Sequence, residues 1–209
     1  MKNYLFIFDM GGVLAMNVSL WKDVGKALGL QDPIKEGPQY LGLLDAASRG
    51  NITSMEDLCL IAERAHLPRP AENYWKTFFH PILHQPTLNL IAALKKAGQR
   101  VVCGTNTIDV HYQCHIHNGD YNCFDKVYAS NIMGQIKPDI TFWHAIKNAE
   151  KTYRFDDMFF FDDNPDNTAA AASLGIHAHV FTTAEDTAAY INAECGTDVV
   201  SLADIRQTV

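Results

Sequence analysis

Asp9, Thr105, Lys137 and the pair Asp162-Asp163 are the residues of this chain whose types could act together on a ligand. Asp9 follows the apolar run Tyr4-Leu5-Phe6-Ile7-Phe8 and precedes Met10-Gly11-Gly12. A carboxylate ending a buried strand, with two glycines behind it, can face a ligand while the chain turns away and brings backbone N–H groups close. An Asp at a strand end also caps turns where no ligand binds, so Asp-x-Gly-Gly alone is a weak signal. Asp162-Asp163-Asn164 ends a second apolar run, Met158-Phe159-Phe160-Phe161, and Thr105-Asn106 follows a third over residues 100–104. In isolation Lys137 reads equally as a solvated surface lysine, Thr105 as a strand-end cap and Asp162-Asp163 as a turn.

What would gather them is the order of elements. The run 4–8 is aromatic and β-branched enough for a strand buried on both faces. From Pro86 the pattern alternates: a helix carrying Leu88, Ile91 and Leu94 and closed by Gly98, a strand over 100–104, a helix over 108–117, and a strand over 126–129. A helix over 139–150 presents Ile140, Trp143 and Ile146, and the strand 158–161 follows. Pro165 starts an alanine-rich helix that Gly175 ends, 176–181 is a strand and 184–194 a final helix. This alternation predicts an α/β, doubly wound, Rossmann-like parallel sheet. In such a sheet Asp9, Thr105 and Asp162-Asp163 all end strands on one edge, where open α/β sheets bind ligands. Three carboxylates there would repel one another without a cation, which Lys137 and a hard divalent ion such as Mg²⁺ would supply.

Between Val18 and Phe79 the spacing is helical throughout: Trp21, Val24 and Leu28, then Leu41, Leu44 and Ala47, then Leu58, Ile61 and Ala65. Gly29, Pro33, Gly37-Pro38, Gly50 and Pro68 divide it into about four short helices, with Thr53 or Ser54 capping the third. The expected division is residues 1–16 and 81–209 as the core and 17–80 as an inserted all-helical cap. Trp75, Phe78 and Phe79 read as core before they read as pocket lining. Residues 196–209 carry no usable pattern.

At 209 residues and 47% apolar composition the chain suits one α/β domain with an insert. A net charge of −7 gives no basic stripe for nucleic acid and no polybasic membrane patch, and no apolar run approaches the ~18 residues of a membrane span. The start Met-Lys-Asn-Tyr leads into a strand, so a cytoplasmic protein with a small-molecule partner is expected. The five cysteines are scattered and predict buried thiols.

Phe8-Asp9-Met10-Gly11-Gly12-Val13, Thr105-Asn106, Lys137-Pro138 and Phe161-Asp162-Asp163-Asn164 resemble, in order and spacing, the four motifs of the haloacid dehalogenase-like (HAD) hydrolases. The insert after the first motif resembles the helical caps of that superfamily. The Asp-x-Gly start and Asp-Asp-Asn ending resemble its alpha-D-glucose-1-phosphate phosphatase branch. The resemblance implies a Mg²⁺-dependent phosphatase for a small phosphorylated metabolite, with a sugar phosphate as the expected class. Asp9 would be the nucleophile, forming an aspartyl-phosphate. Asp9, the Gly11 carbonyl and Asp163 would hold Mg²⁺. Asp162 would orient Lys137, and Asn167 a metal-bound water. Thr105 and Lys137 would bind phosphoryl oxygens, within an anion cradle completed by the Met10–Gly12 turn and the amides of Met10 and Asn106.

One position departs from the superfamily. Most of its phosphatases carry a second Asp two residues after the nucleophile, as acid and base; here that residue is Gly11. Such a group contributes ~10²–10⁴-fold, so either another group replaces it, or turnover is slow, or the chain binds phosphate ligands without efficient catalysis. A 2-haloacid dehalogenase is the remaining alternative, though Asp162-Asp163 without a metal would repel an anionic haloacid. Mutase chemistry would need the same missing group. His111, Cys114, His115, His117 and Cys123 form a second cluster, which lacks a convincing four-ligand zinc pattern and reads as a helix and loop lining the sheet edge. Gln39-Tyr40, Arg49 and Asn51 are the expected specificity positions.

Overall fold

The computed structural model describes residues 2–206. The chain begins with strands β1 (Leu5–Phe8) and β2 (Ala15–Met16), then passes through helices α1 (Trp21–Leu28), α2 (Pro33–Glu36), α3 (Leu41–Ser48), α4 (Ser54–Arg64) and α5 (Tyr74–Thr77). It returns through β3 (Ile82–Leu83), α6 (Gln85–Lys96), β4 (Arg100–Thr105), α7 (Asp109–Asn118), β5 (Lys126–Ala129), α8 (Ser130–Met133) and α9 (Thr141–Ala149). It ends with β6 (Met158–Asp162), α10 (Pro165–Ala172), β7 (His177–Val180), α11 (Ala184–Cys195) and α12 (Leu202–Ile205).

The main sheet has the order β5-β4-β1-β6-β7, and every pair in it is parallel. It is the predicted doubly wound sheet, with β1 in the middle. Strand side chains alternate between faces. Phe6 and Phe8, with Phe159 and Phe161, therefore meet Leu90, Ile91 and Leu94 of α6 and Ala188 and Ile191 of α11. Leu5, Ile7, Met158 and Phe160 meet Trp143 and Ile146 of α9 and Ala171 of α10 on the other face. Burial of each such side chain contributes about 1.5–3 kcal/mol, so the apolar run of β1 suffices to place it centrally.

The helices between β2 and β3 enclose a separate cluster of Val24, Leu28, Leu43, Ala47, Leu58, Ile61, Trp75 and Phe79, into which Ile108 reaches from the start of α7. Thr53 caps α4 in a reciprocal pair with Glu56: Glu56 N–H donates to Thr53 Oγ1 at 3.2 Å and Thr53 N–H to Glu56 Oε2 at 2.7 Å. Asp57, one turn later, is fully buried and accepts the Trp75 indole N–H at 2.8 Å, while its Oδ1 has no partner. Burial pushes this carboxyl up to about 6 from an ordinary 3.8, against the Trp75 hydrogen bond. The folded state thus holds this proton more tightly than the unfolded chain, and Asp57 costs stability as pH rises from about 4 through 6. Asp57→Asn should raise stability by about 1–2 kcal/mol at pH 8 and nothing at pH 4; equal unfolding midpoints for the two proteins at pH 8 would contradict this.

Three features differ from the sequence reading. Residues 15–16 and 82–83 pair as an antiparallel ribbon, Ala15 opposite Leu83 and Met16 opposite Ile82, at the two ends of the helical segment. Two residues show no alternation to detect. Ile140 was expected on the buried face of its helix but precedes α9 and is 47% exposed, because the helix begins at Thr141 and Phe142 takes the buried place. Residues 196–206 are ordered around α12, whose Ile205 joins Val199 and Val200 against the α6 side of the core. Residues 207–209 of that stretch lie outside the described residues.

Candidate active site

Asp9 lies just past β1, and its N–H donates to Phe161 O of the neighbouring strand at 2.9 Å. The chain then doubles back: Leu14 and Ala15 N–H both donate to Met10 O, and Gly12 N–H donates to Ala15 O. Gly12 has φ +73°, and a Cβ there would sit 2.2 Å from Asp163 Oδ2. Only glycine lets the Asp163 carboxylate lie so close over this turn.

Lys137 is buried, and its ammonium donates to Gly104 O and Asp162 Oδ2 while pairing by charge with Asp9 Oδ1, which leaves a donor for a ligand. Nζ lies 3.0 Å from Gly104 O, 2.6 Å from Asp162 Oδ2 and 2.8 Å from Asp9 Oδ1. Burial lowers its pKa, but the charges of Asp9 and Asp162 outweigh that and the net shift is upward. The Lys137 backbone is fixed by the Asn106 side chain, whose Nδ2 donates to Lys137 O at 2.8 Å and whose Oδ1 accepts Lys137 N–H at 2.9 Å. Asp162 has no exposed surface; its Oδ1 accepts Asn164 N–H at 2.9 Å, and Asn167 Nδ2 lies 3.0 Å from both its oxygens. Asn167 thus stands against Asp162. Thr105, at the end of β4, is buried beside them, its hydroxyl 3.3 Å from Asn106 O.

Carboxylate oxygens of Asp9, Asp162 and Asp163 lie within 4.8 Å of one another. Three carboxylates face one ammonium, a formal surplus of two negative charges. Burial pushes Asp9 up to about 7, the Lys137 charge pulling against it and Asp162 adding to it, and burial with the Asp162 charge raises Asp163. An all-oxygen donor set with a surplus of two suits a hard divalent cation rather than a soft one. It is the one such group of His, Cys, Asp and Glu among the described residues, so the cluster around His111 and Cys123 assembles no metal site there. The cysteines are free thiols, but of the five only Cys103 is buried as expected, Cys59, Cys114, Cys123 and Cys195 being partly exposed.

Two cavities flank Gly11. One is lined by Gly11, Gly12, Asn17, Ser19 and Asp163. The other, about 140 Å³, is lined by Met10, Gly11, Thr105, Phe79, His115 and Tyr121 among others. Gln39, Tyr40, Arg49 and Asn51 line neither cavity. Tyr40 is buried among the helices, and Arg49 pairs with Asp139 and donates to Gly134 O across to the sheet domain. Of the segment between β2 and β3, Asn17, Val18, Ser19 and Phe79 line these cavities, so Phe79 serves both the helical core and the cavity. Tyr121 stands in no spacing that marks it in the sequence, and the Thr105-Asn106 motif does not show that the Asn106 side chain holds the Lys137 backbone.

This sheet, with carboxylates at the carboxyl ends of β1 and β6, is the fold of the HAD-like hydrolases. A HAD-family enzyme from Bacteroides thetaiotaomicron, solved as a magnesium complex, is 25% identical with a TM-score of 0.70, over 91% of this chain and 99% of that one. Its complex with magnesium and inorganic phosphate gives 24% and 0.69, over 87% and 96%. A predicted HAD-like family hydrolase from Porphyromonas gingivalis gives 22% and 0.75, over 92% and 98%. The L-2-haloacid dehalogenase of Xanthobacter autotrophicus is more distant, at 14% and 0.60 over 85% and 76%. No protein-family model matches the chain. Among curated sequences, the drimenol cyclase drtB of Aspergillus calidoustus is 37% identical over 62 residues, which are 30% of this chain and 12% of that protein. Among the described residues no helix is long and apolar enough to cross a membrane.

Proposed function

We propose that the chain is a Mg²⁺-dependent phosphatase that transfers the phosphoryl group of a small phosphorylated metabolite to Asp9 and then to water. The observation that carries this reading is the Lys137 ammonium held between Asp9 and Asp162 with Asp163 in reach. The magnesium and phosphate held by the Bacteroides thetaiotaomicron protein of the same fold support it. Asp9, Asp163 and the Gly11 carbonyl would hold the ion, which when bound supplies positive charge to draw density from the phosphoryl oxygens. Lys137 binds a phosphoryl oxygen while Asp162 and Gly104 O fix its ammonium, and Asn106 fixes the backbone that carries it. Thr105 and the Met10–Gly12 turn complete the anion cradle. The helices of residues 17–80 act as the cap that shields the site from water. A sugar phosphate is the substrate class we favour, on the resemblance of Asp9-Met10-Gly11 and Asp162-Asp163-Asn164 to the glucose-1-phosphate phosphatase branch.

The test is phosphate release from p-nitrophenyl phosphate and a panel of sugar phosphates, with Mg²⁺ and with a chelator. Release that the chelator removes supports the proposal, and the panel ranks the sugars. Halide release from a 2-haloacid without metal would replace it with the dehalogenase reading. Binding of inorganic phosphate with Mg²⁺ but no release would make the chain a phosphate-ligand-binding protein.

A further inference from the structure

The 140 Å³ cavity beside Gly11 holds polar groups that neither the fold nor the anion cradle uses. Tyr121 is 6% exposed, and its hydroxyl is buried with no hydrogen-bond partner. An unpaired buried hydroxyl costs ~1–3 kcal/mol, so one lining a cavity marks where a ligand atom belongs. His115 is 3% exposed and stands between Tyr121, 5.3 Å away ring to ring, and Phe79 at 5.1 Å. Its Nδ1 lies 2.7 Å from Asp120 Oδ2, and its Nε2 makes no hydrogen bond among the described residues. A carboxylate on Nδ1 fixes the tautomer and leaves Nε2 to exchange a proton. His111 lines the same cavity but its Nε2 is engaged with Trp75 O at 3.0 Å and its ring stacks on Phe79 at 3.8 Å.

A Cβ at Gly11 would press on Val18 Cγ2 at 3.3 Å, so an aspartate side chain there would need Val18 to give way. The proton must come from another direction. Resting on the phosphatase reading of Asp9, we propose that this cavity receives the substrate's leaving oxygen and that His115, oriented by Asp120, exchanges the proton that Gly11 cannot, with the Tyr121 hydroxyl as second donor. In the first displacement an Asp9 oxygen bonds to phosphorus and the bond from phosphorus to the leaving oxygen breaks. Its electron pair stays on the leaving oxygen, which takes the Nε2 proton of the His115 imidazolium and leaves the ring neutral with its Nδ1–H on Asp120. In the second, a water oxygen bonds to phosphorus, the pair of the broken phosphorus–Asp9 bond returns to the carboxylate, and the water's proton passes to His115 Nε2. The ring thereby recovers the proton it gave. Burial lowers the His115 pKa and the Asp120 carboxylate raises it, the first effect being larger. Of the other titratable groups facing the ring, His111 is neutral because burial pushes it down to about 4, Tyr121 is kept protonated by burial, and Phe79 brings no charge.

The experiment compares kcat/KM for p-nitrophenyl phosphate, whose leaving group needs no proton, with that for phenyl phosphate, whose leaving group does. For His115→Gln a loss of about 10²–10⁴-fold on phenyl phosphate and under about tenfold on p-nitrophenyl phosphate is expected. Asp120→Asn, which leaves the ring in place, should move the pH profile of phenyl phosphate cleavage. Tyr121→Phe breaks no protein hydrogen bond, so it should fold as the parent does and slow phenyl phosphate by about tenfold. Equal losses on both substrates, or none in all three variants, would overturn the proposal. If the parent protein itself hydrolyses neither substrate with Mg²⁺, the phosphatase reading fails first and this one with it; parent activity with unchanged substrate ratios sinks this one alone.

Discussion

Asp9→Asn is expected to lower phosphate release by on the order of 10⁴-fold or more while leaving the fold and the binding of inorganic phosphate with Mg²⁺ in place. The replacement keeps the shape of the side chain and its place after β1, where the backbone N–H is held by Phe161 O. It removes the oxygen lone pair and charge that would attack phosphorus on the proposed route, and an amide oxygen is a poor substitute. The fold should survive because burial already makes the charged Asp9 carboxylate costly, pushing its pKa up to about 7, so a neutral side chain is well suited to that position. Single-turnover release measured on folded protein decides the matter. Release within tenfold of the parent would exclude the covalent route through Asp9.

Lys137→Met is the variant with the largest expected effect on stability. The methionine fills the stem's volume but leaves Asp162 Oδ2 and Gly104 O without their donor and Asp9 Oδ1 without its cationic partner. Breaking one side of a buried ion pair costs about 3–5 kcal/mol, because a charge stays behind without its partner. Here two carboxylates are left facing each other, with Asp163 close by. The loss should be greatest at pH 8, shrink as acid protonates the carboxylates, and be partly restored by Mg²⁺ at millimolar levels, which binds the folded form preferentially. Denaturant unfolding at pH 8 and pH 5, with and without Mg²⁺, measures all three. A loss under 1 kcal/mol at pH 8 would mean that the ammonium does not hold these carboxylates together. Turnover should vanish in the same variant.

The site residues that could be read from the sequence are those that end apolar strands. Asp9, Thr105 and Asp162 stand at the carboxyl ends of β1, β4 and β6 because a parallel sheet puts all strand ends on one edge, and the runs before them are too apolar to be anything but buried. Lys137 was legible by motif, but its contacts were not, since the reach of its ammonium to Gly104 O depends on how β4 and the following loop sit in space. The Asn106 side chain bonds a backbone 31 positions away, and no local pattern announces that. Tyr121 and His115 sit in a helix and turn of low periodicity, where polar and apolar residues alternate without a clear face. The expected specificity arc at Arg49 and Asn51 was read from helix ends alone, and the crossing of the helical segment over the sheet domain turned Arg49 toward Asp139 instead.

The ribbon of β2 and β3 gives residues 17–81 an unusual standing in the chain. Met16 and Ile82 are neighbours across an antiparallel pair, a separation that a two-residue turn spans in an ordinary hairpin. Topologically, the entire helical segment is a hairpin loop that has grown. A longer loop between fixed ends adds closure entropy only slowly, and hairpin tips accept insertions readily. Lineages carrying this sheet could therefore acquire, exchange or shed the segment by cutting and rejoining at a single place, trading one set of ligand contacts for another while the strand ends that hold Asp9 and Asp163 keep their inheritance intact.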